Sequence, residues 1–254
     1  MPTLTFLMYT LVFLFGISVG SFLNVCILRM PKGESIISGP SHCTSCGKKL
    51  KWYEMIPIFS FLALRGRCSG CKTAISAQYP LIEALNGALW VLTLVFLGFT
   101  FQAFIACLFA SALVVLSVID ARTREIPSEI TVFILALGVA ATFLDLESWL
   151  THIIGFFAVS LPLCLIFFAT RGKGIGGGDI KLMAGCGLLL GWKLVVLGFF
   201  LGCLIAAVIH LTRMALKKAD RTLSFGPYLS AGMFAAVLWG LPLINWYLAY
   251  LYSF

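Results

Sequence analysis

The sequence predicts an all-α polytopic membrane protein of about eight transmembrane helices, with a small cytoplasmic loop domain between the first and second. Three observations carry this. Of the 254 residues, 61% are apolar and only 11% are charged, against about 25% charged in soluble domains. Mean hydropathy is +1.03. The apolar runs are continuous, whereas a membrane β-barrel would alternate polar and apolar residues. This composition excludes a soluble globular domain, a disordered chain and a coiled coil. The 24 Gly and nine Pro show no collagen period. No internal repeat or low-complexity linker is apparent.

A helix needs about 20 mainly apolar residues to cross about 30 Å of hydrocarbon. Leu4 to Leu28 is the first such run. It is longer than a signal-peptide core and lacks a small-residue cleavage site, so a retained span is expected over 1–28. Residues 29–78 break the pattern with basic residues and four cysteines, and form the loop domain. Apolar runs resume at Tyr79–Phe99, Phe101–Ile119, Glu129–Leu144, His152–Thr170, Ile180–Gly191, Lys193–Thr212 and Phe225–Tyr250. Ile180–Thr212 is short for two crossings and long for one. Charge decides between them. With eight spans, every one of the 18 Lys/Arg except Lys193 lies on one side. That asymmetry places the loop domain in the cytoplasm and both termini outside. The net charge of +8 is therefore read as topology, with the lipid bilayer as partner and no nucleic acid.

Cys43-x-x-Cys46 and Cys68-x-x-Cys71 are paired knuckles with the spacing of a four-thiolate structural zinc site. Gly47, Gly66 and Gly70 lie where tight turns are needed. Two disulfides are the competing arrangement, disfavoured by a reducing cytosol. A redox pair does not explain the doubling. Four thiolates leave no open coordination position, so the zinc is expected to be scaffold.

Eight of the ten Asp/Glu can be sorted one by one. Asp145 and Glu147 fall in an outer loop, and Glu34, Glu54 and Asp220 in cytoplasmic loops, all read as solvated. Asp120 ends the third run, and Asp179 follows Gly176-Gly177-Gly178. Topology puts both at similar depth on the basic side. Converging carboxylates share a proton, so one can activate a water while the other protonates a leaving group. Each also has an ordinary use: Asp179 as a helix cap, Asp120 as a partner of Arg122 or Arg124. The three glycines admit close approach of another backbone, as a substrate loop would. Glu83, in Tyr79-Pro80-Leu81-Ile82-Glu83, alone reads as a first-turn acid.

Together these segments resemble the type IV prepilin peptidase family, bifunctional leader peptidases and N-methyltransferases of the GxGD class of membrane aspartyl proteases. The resemblance runs from about Gly20 to Gly232. It rests on Gly20-Ser21-Phe22-Leu23-Asn24-Val25, Arg29-Met30-Pro31, the paired knuckles, Tyr79-Pro80 with Glu83 and Gly87, Asp120 with Ile126-Pro127, Gly176-Gly177-Gly178-Asp179-Ile180-Lys181, and Phe225-Gly226-Pro227-Tyr228. Ser128 departs from the family's usual Asn or Asp.

The resemblance implies that Asp120 and Asp179 are the protease dyad, within a seven-helix protease domain over 79–254. It implies that the loop domain over 29–78 and Glu83 serve a methyl transfer from S-adenosylmethionine. It also implies a prepilin or pseudopilin substrate and a bacterial inner-membrane location. Two rival classes remain at this point: a GxGD protease without methyl transfer, and a transporter using the aspartates as ion ligands.

Overall fold

The computed structural model describes residues 2–39, 41–216 and 224–251. Lys217, Lys218 and Arg221, used in the charge assignment, and Asp220, read as a solvated loop acid, lie outside the described residues, as does the chain after Leu251. The chain divides into two compact units, Met1–Phe99 and Thr100–Phe254. Among the described residues, six helical spans are long and apolar enough to cross a bilayer: Thr3–Lys32, Gln78–Leu97, Phe101–Thr123, Leu146–Ala169, Gly177–Ala215 and Gly226–Leu251. A seventh apolar helix, Ser128–Leu144, has 17 residues.

In the first unit, α1 (Pro2–Arg29) and α3 (Gln78–Leu97) pack antiparallel. Small residues set their approach, as in membrane bundles. A Cβ on Gly16 would lie 2.8 Å from the Gly87 Cα, and one on Gly20 would lie 2.7 Å from the Glu83 Cα. Buried amides lock the register where apolar packing alone would let the helices slide. Asn86 Nδ2 donates to the Gly16 carbonyl at 2.8 Å, and Asn24 Nδ2 donates to the Tyr79 carbonyl at 3.2 Å. Between these helices lie the two cysteine knuckles and a short helix, α2 (Phe59–Ala63).

The second unit contains α4 (Phe101–Thr123), α5 (Ser128–Leu144), α6 (Trp149–Ala158), α7 (Ser160–Ala169), α8 (Gly177–Ala215) and α9 (Gly226–Leu251). Thr100 caps α4 by accepting from the Ala103 N–H at 3.0 Å, an ordinary N-cap. The 39 residues of α8 would make a straight rod of about 58 Å, nearly twice the hydrocarbon thickness. The helix is not straight. Gly191 has φ 76° and ψ 167°, a conformation that excludes side chains other than hydrogen at little cost only for glycine.

The neighbours of α8 give its course on either side of Gly191. The first half runs parallel to α5: Gly178 meets Ile126, Gly185 meets Ile134, and Leu189 meets Gly138. The second half runs antiparallel to α9: Gly198 meets Met233 and Ala236, and Gly202 meets Leu229. Both α5 and α9 start beside the end of α4. The chain therefore folds back at Gly191. The sequence divides Ile180–Thr212 at this same glycine.

The first half of α8 crosses α6 with backbone against backbone. A Cβ on Gly187 would overlap the Gly155 carbonyl, and one on Gly155 would overlap the Gly187 carbonyl. His152 fastens the crossing, its Nδ1 2.8 Å from the Leu188 carbonyl oxygen. Neither backbone can rotate away as a side chain would. Gly187→Ala is therefore expected to cost at least about 1–3 kcal/mol of overpacking, seen as a lowered melting midpoint in detergent. An unchanged midpoint would show that the two helices do not cross this closely.

Candidate active site and metal centre

Asp120 lies on the last turn of α4 and is 4% exposed. Its Oδ2 accepts a hydrogen bond of 2.8 Å from the backbone N–H of Gly226, the first residue of α9. Only glycine fits there, because an added Cβ would stand 2.8 Å from that same oxygen. The α4 helix stops just beyond, at Arg124 with φ 59°. Its left-handed backbone turns the chain through Glu125 and Ile126 toward α5.

Asp179 sits in the first turn of α8, whose N-cap is Gly176. Its carboxylate accepts from the Gly176 backbone N–H, the reach-back half of a capping box. Asp120 and Asp179 are close enough to interact electrostatically. Both line one cavity of about 490 Å³, with Arg124, Glu125, Ile126, Gly176, Gly177, Gly178, Ser224 and Phe225. Two carboxylates thus meet over a glycine loop at one end of the helices. Such a pair can take a proton from water and return one to a leaving group.

In the first unit, the Sγ atoms of Cys43, Cys46, Cys68 and Cys71 all lie within 4.8 Å of one another. Cys43 and Cys71 Sγ are 3.9 Å apart. Four thiolates around one ion at about 2.3 Å would stand about 3.8 Å from each other, so the cluster fits a tetrahedral metal. The second knuckle repeats the first bond for bond. The Gly47 N–H donates to the Cys43 carbonyl at 2.9 Å, and the Lys72 N–H donates to the Cys68 carbonyl at 3.0 Å. Isolated bridges His42–Lys49 and Arg67–Ala74 close each turn. The Cys71 Sγ also lies 3.3 Å from the Thr73 hydroxyl.

Glu54 is not solvated, contrary to its sequence reading. It is buried among the Lys51 backbone N–H, the Ser69 hydroxyl and the Lys48 ammonium, the last at 2.9 Å. Those donors, the Lys51 N–H first, hold its carboxyl down to about 2. Its contribution to stability is present above the ordinary carboxylate range and is lost as pH falls toward about 2.

Glu83 is buried on α3. Its Oε2 accepts from the Ile58 backbone N–H at 2.7 Å, and the Ser21 hydroxyl also bonds it. Ile58 has φ 60° and ψ −52°, with the Phe59 N–H donating to the Pro57 carbonyl at 2.6 Å. This is a γ-turn of the rare, strained kind, costing about 1–3 kcal/mol in a β-branched residue.

Comparisons with known proteins identify the family of the chain. Residues 14–97 match the bacterial peptidase A24 N-terminal domain, and residues 107–211 match the type IV leader peptidase family. A protein of Bacillus subtilis (strain 168) named prepilin leader peptidase/N-methyltransferase is 36% identical over 246 residues, covering 95% of this chain and 98% of its own. The chain belongs to the type IV leader peptidase family. Proteins of the same name from Pseudomonas aeruginosa and Xanthomonas campestris pv. campestris are 31% and 32% identical, over 93% and 92% of this chain and 92% of each relative. No solved structure matches.

Within this family member, the structure brings Asp120, Asp179, Gly176, Gly177 and Gly178 to one cavity and the four cysteines to one cluster. Glu83 lies in the other compact unit from the aspartates and faces Ile58 and Ser21. Sequence reasoning assigned no role to Gly226, although its N–H holds Asp120. The available signal was glycine directly before Pro227, since proline suits the first turn of a helix and leaves the preceding N–H at the helix mouth.

Proposed function

We propose that this protein cleaves the leader peptide of a type IV prepilin or pseudopilin at the cytoplasmic membrane face and methylates the new N-terminal amine. The observation that carries the peptidase half is the shared cavity of Asp120 and Asp179 over Gly176–Gly178. One carboxylate takes a proton from water as that water attacks the scissile carbonyl. The other gives its proton to the departing amine. The acid and base roles belong to the pair rather than to either residue. The Gly226 N–H keeps Asp120 aimed into the cavity, and the Gly176 N–H does the same for Asp179. The flat glycine loop leaves room for an extended peptide backbone beside them.

The topology in this reading has eight spans. It counts α5 as a short span and the two halves of α8 as separate crossings that meet at Gly191. With Lys193 the only basic residue opposite, the positive-inside rule sets the loop domain and both aspartates on the cytoplasmic side and both termini outside, in the bacterial inner membrane.

Zinc fits the four thiolates as a closed structural site, which holds the two knuckles together. S-adenosylmethionine supplies an electrophilic methyl group when bound. A cavity of about 500 Å³ in the first unit carries Arg29, Lys49 and Glu34, whose charges match the donor's carboxylate and its cationic groups. Glu83 acts as a positioning residue for methyl transfer by holding the Ile58 turn of the loop domain.

Two measurements test this reading. Purified protein incubated with a prepilin and labelled S-adenosylmethionine should release the leader and transfer label to the mature pilin. Glu83→Ala should lower methyl incorporation while leader cleavage continues. Unaffected methylation in that variant would remove Glu83 from the proposal. Cleavage without any label transfer would reduce the activity to that of a peptidase.

A further inference from the structure

The strained turn at Ile58 belongs to a segment whose surroundings suit lipid better than water. Trp52, Tyr53, Met55, Ile56, Phe59 and Leu62 are exposed by 76%, 47%, 41%, 39%, 57% and 64%. Scattered exposed hydrophobics are ordinary, but a run this dense in a loop marks an interaction surface. Trp and Tyr are the side chains that settle at the membrane–water boundary. Exposed basic residues flank the run, Lys49 and Lys51 before it and Arg65 and Arg67 after it. The Lys51 ammonium lies 5.8 Å from the centre of the Tyr53 ring.

The depth of the segment can be read from Glu83. That residue lies about 7.5 Å along α3 from its start at Gln78, at 1.5 Å per residue. On α1 the same level is marked by Gly20, packed on the Glu83 backbone, about 13 Å below the basic end at Arg29. The Ile58 N–H, 2.7 Å from the Glu83 carboxylate, is therefore held beside the first two turns of α3, where that apolar helix begins. Non-helical backbone at such depth persists only where its polar groups find partners in protein. The Glu83 carboxylate is that partner for the Ile58 N–H, at 2.7 Å. The carboxylate and the γ-turn make sense together: one supplies the acceptor that hydrocarbon cannot.

We propose that Trp52–Leu62 is a membrane-dipping segment of the loop domain, seated in the leaflet reached by the C-terminal end of α1 and the N-terminal end of α3. Its apolar side chains enter the acyl boundary, and Lys51, Arg65 and Arg67 bind anionic headgroups. The occupant of the exposed patch is thus an anionic lipid surface. The arrangement also ties the metal-binding knuckles on both sides of the segment to a fixed height on the bilayer. The inference uses only the first unit and does not depend on peptidase or methyltransferase activity.

The test uses the full chain in nanodiscs made either of zwitterionic lipid or of a mixture with phosphatidylglycerol. A spin-labelled amino acid is introduced in separate variants at Trp52, Phe59 and Leu62, with Lys72 in the exposed second knuckle as reference. In the anionic discs, the three labels should lose collisions with a water-soluble nickel relaxer and gain collisions with oxygen relative to Lys72. In zwitterionic discs, oxygen collisions should fall. Three sites guard against one label disturbing the fold, and gel filtration checks each variant. Nickel accessibility equal to that at Lys72 would overturn the proposal. Protection from both relaxers would also overturn it, by showing that protein rather than lipid covers the patch.

Discussion

Asp120→Asn and Asp179→Asn are each expected to lower leader cleavage by about 10³-fold or more, since each removes a general acid–base contribution of that order. The two losses should not add, because the groups act as one unit. The double variant should be about as inactive as either single one. Each Asn keeps the shape of the side chain and can still accept the backbone N–H, from Gly226 for Asp120 and from Gly176 for Asp179. Insertion and melting behaviour should therefore stay near those of the unchanged protein. Cleavage assays on a prepilin, with melting curves in the same detergent, check both halves. Retained cleavage in either single variant would falsify the dyad.

Replacing cysteines in the cluster should have the second large effect, on folding rather than chemistry. Structural zinc contributes about 10–16 kcal/mol of binding free energy in small thiolate sites. Between the helices, the described loop has little regular structure of its own: two isolated bridges and short helical turns. Cys43→Ser or Cys68→Ser should abolish stoichiometric zinc and open the loop to protease between Arg29 and Gln78. The α1–α3 pair should survive, because Asn86 and Asn24 lock it independently. Elemental analysis and limited proteolysis read the two outcomes. A variant that keeps one zinc per chain would show that the four thiolates are not the ligand set.

The residue types of the candidate site are legible in the sequence. Ten acidic residues in 254 are few enough that position narrows the candidates to Asp120 and Asp179, and the family resemblance pairs them. Four cysteines as two CxxC pairs point to a metal because tetrahedral thiolate coordination tolerates few other spacings. A break within Ile180–Thr212, seen at Gly191, was also legible, since the run is long for one crossing. By contrast, Glu54 and Lys72 were misjudged or passed over. The Lys48–Glu54 ion pair and the left-handed backbone of Lys72, with φ 62°, depend on which loop residues fold onto each other. The repeat of the two knuckles is hidden for a related reason: it resides in backbone bonds, with Gly47 in one turn replaced by Lys72 in the other.

The sequence alone determined the class of the chain, its membrane runs, the metal-type cluster and the two aspartates. Those properties follow from residue type and linear spacing, which transfer free energies and ligand geometry read directly. Only the tertiary structure decided that the Gly226 N–H holds Asp120, that Gly155 and Gly187 let two backbones touch, and that Glu83 supports the turn at Ile58. Each of these joins residues far apart in the chain through a backbone group. Every residue carries nearly the same backbone groups, so composition and periodicity hold no record of which ones meet.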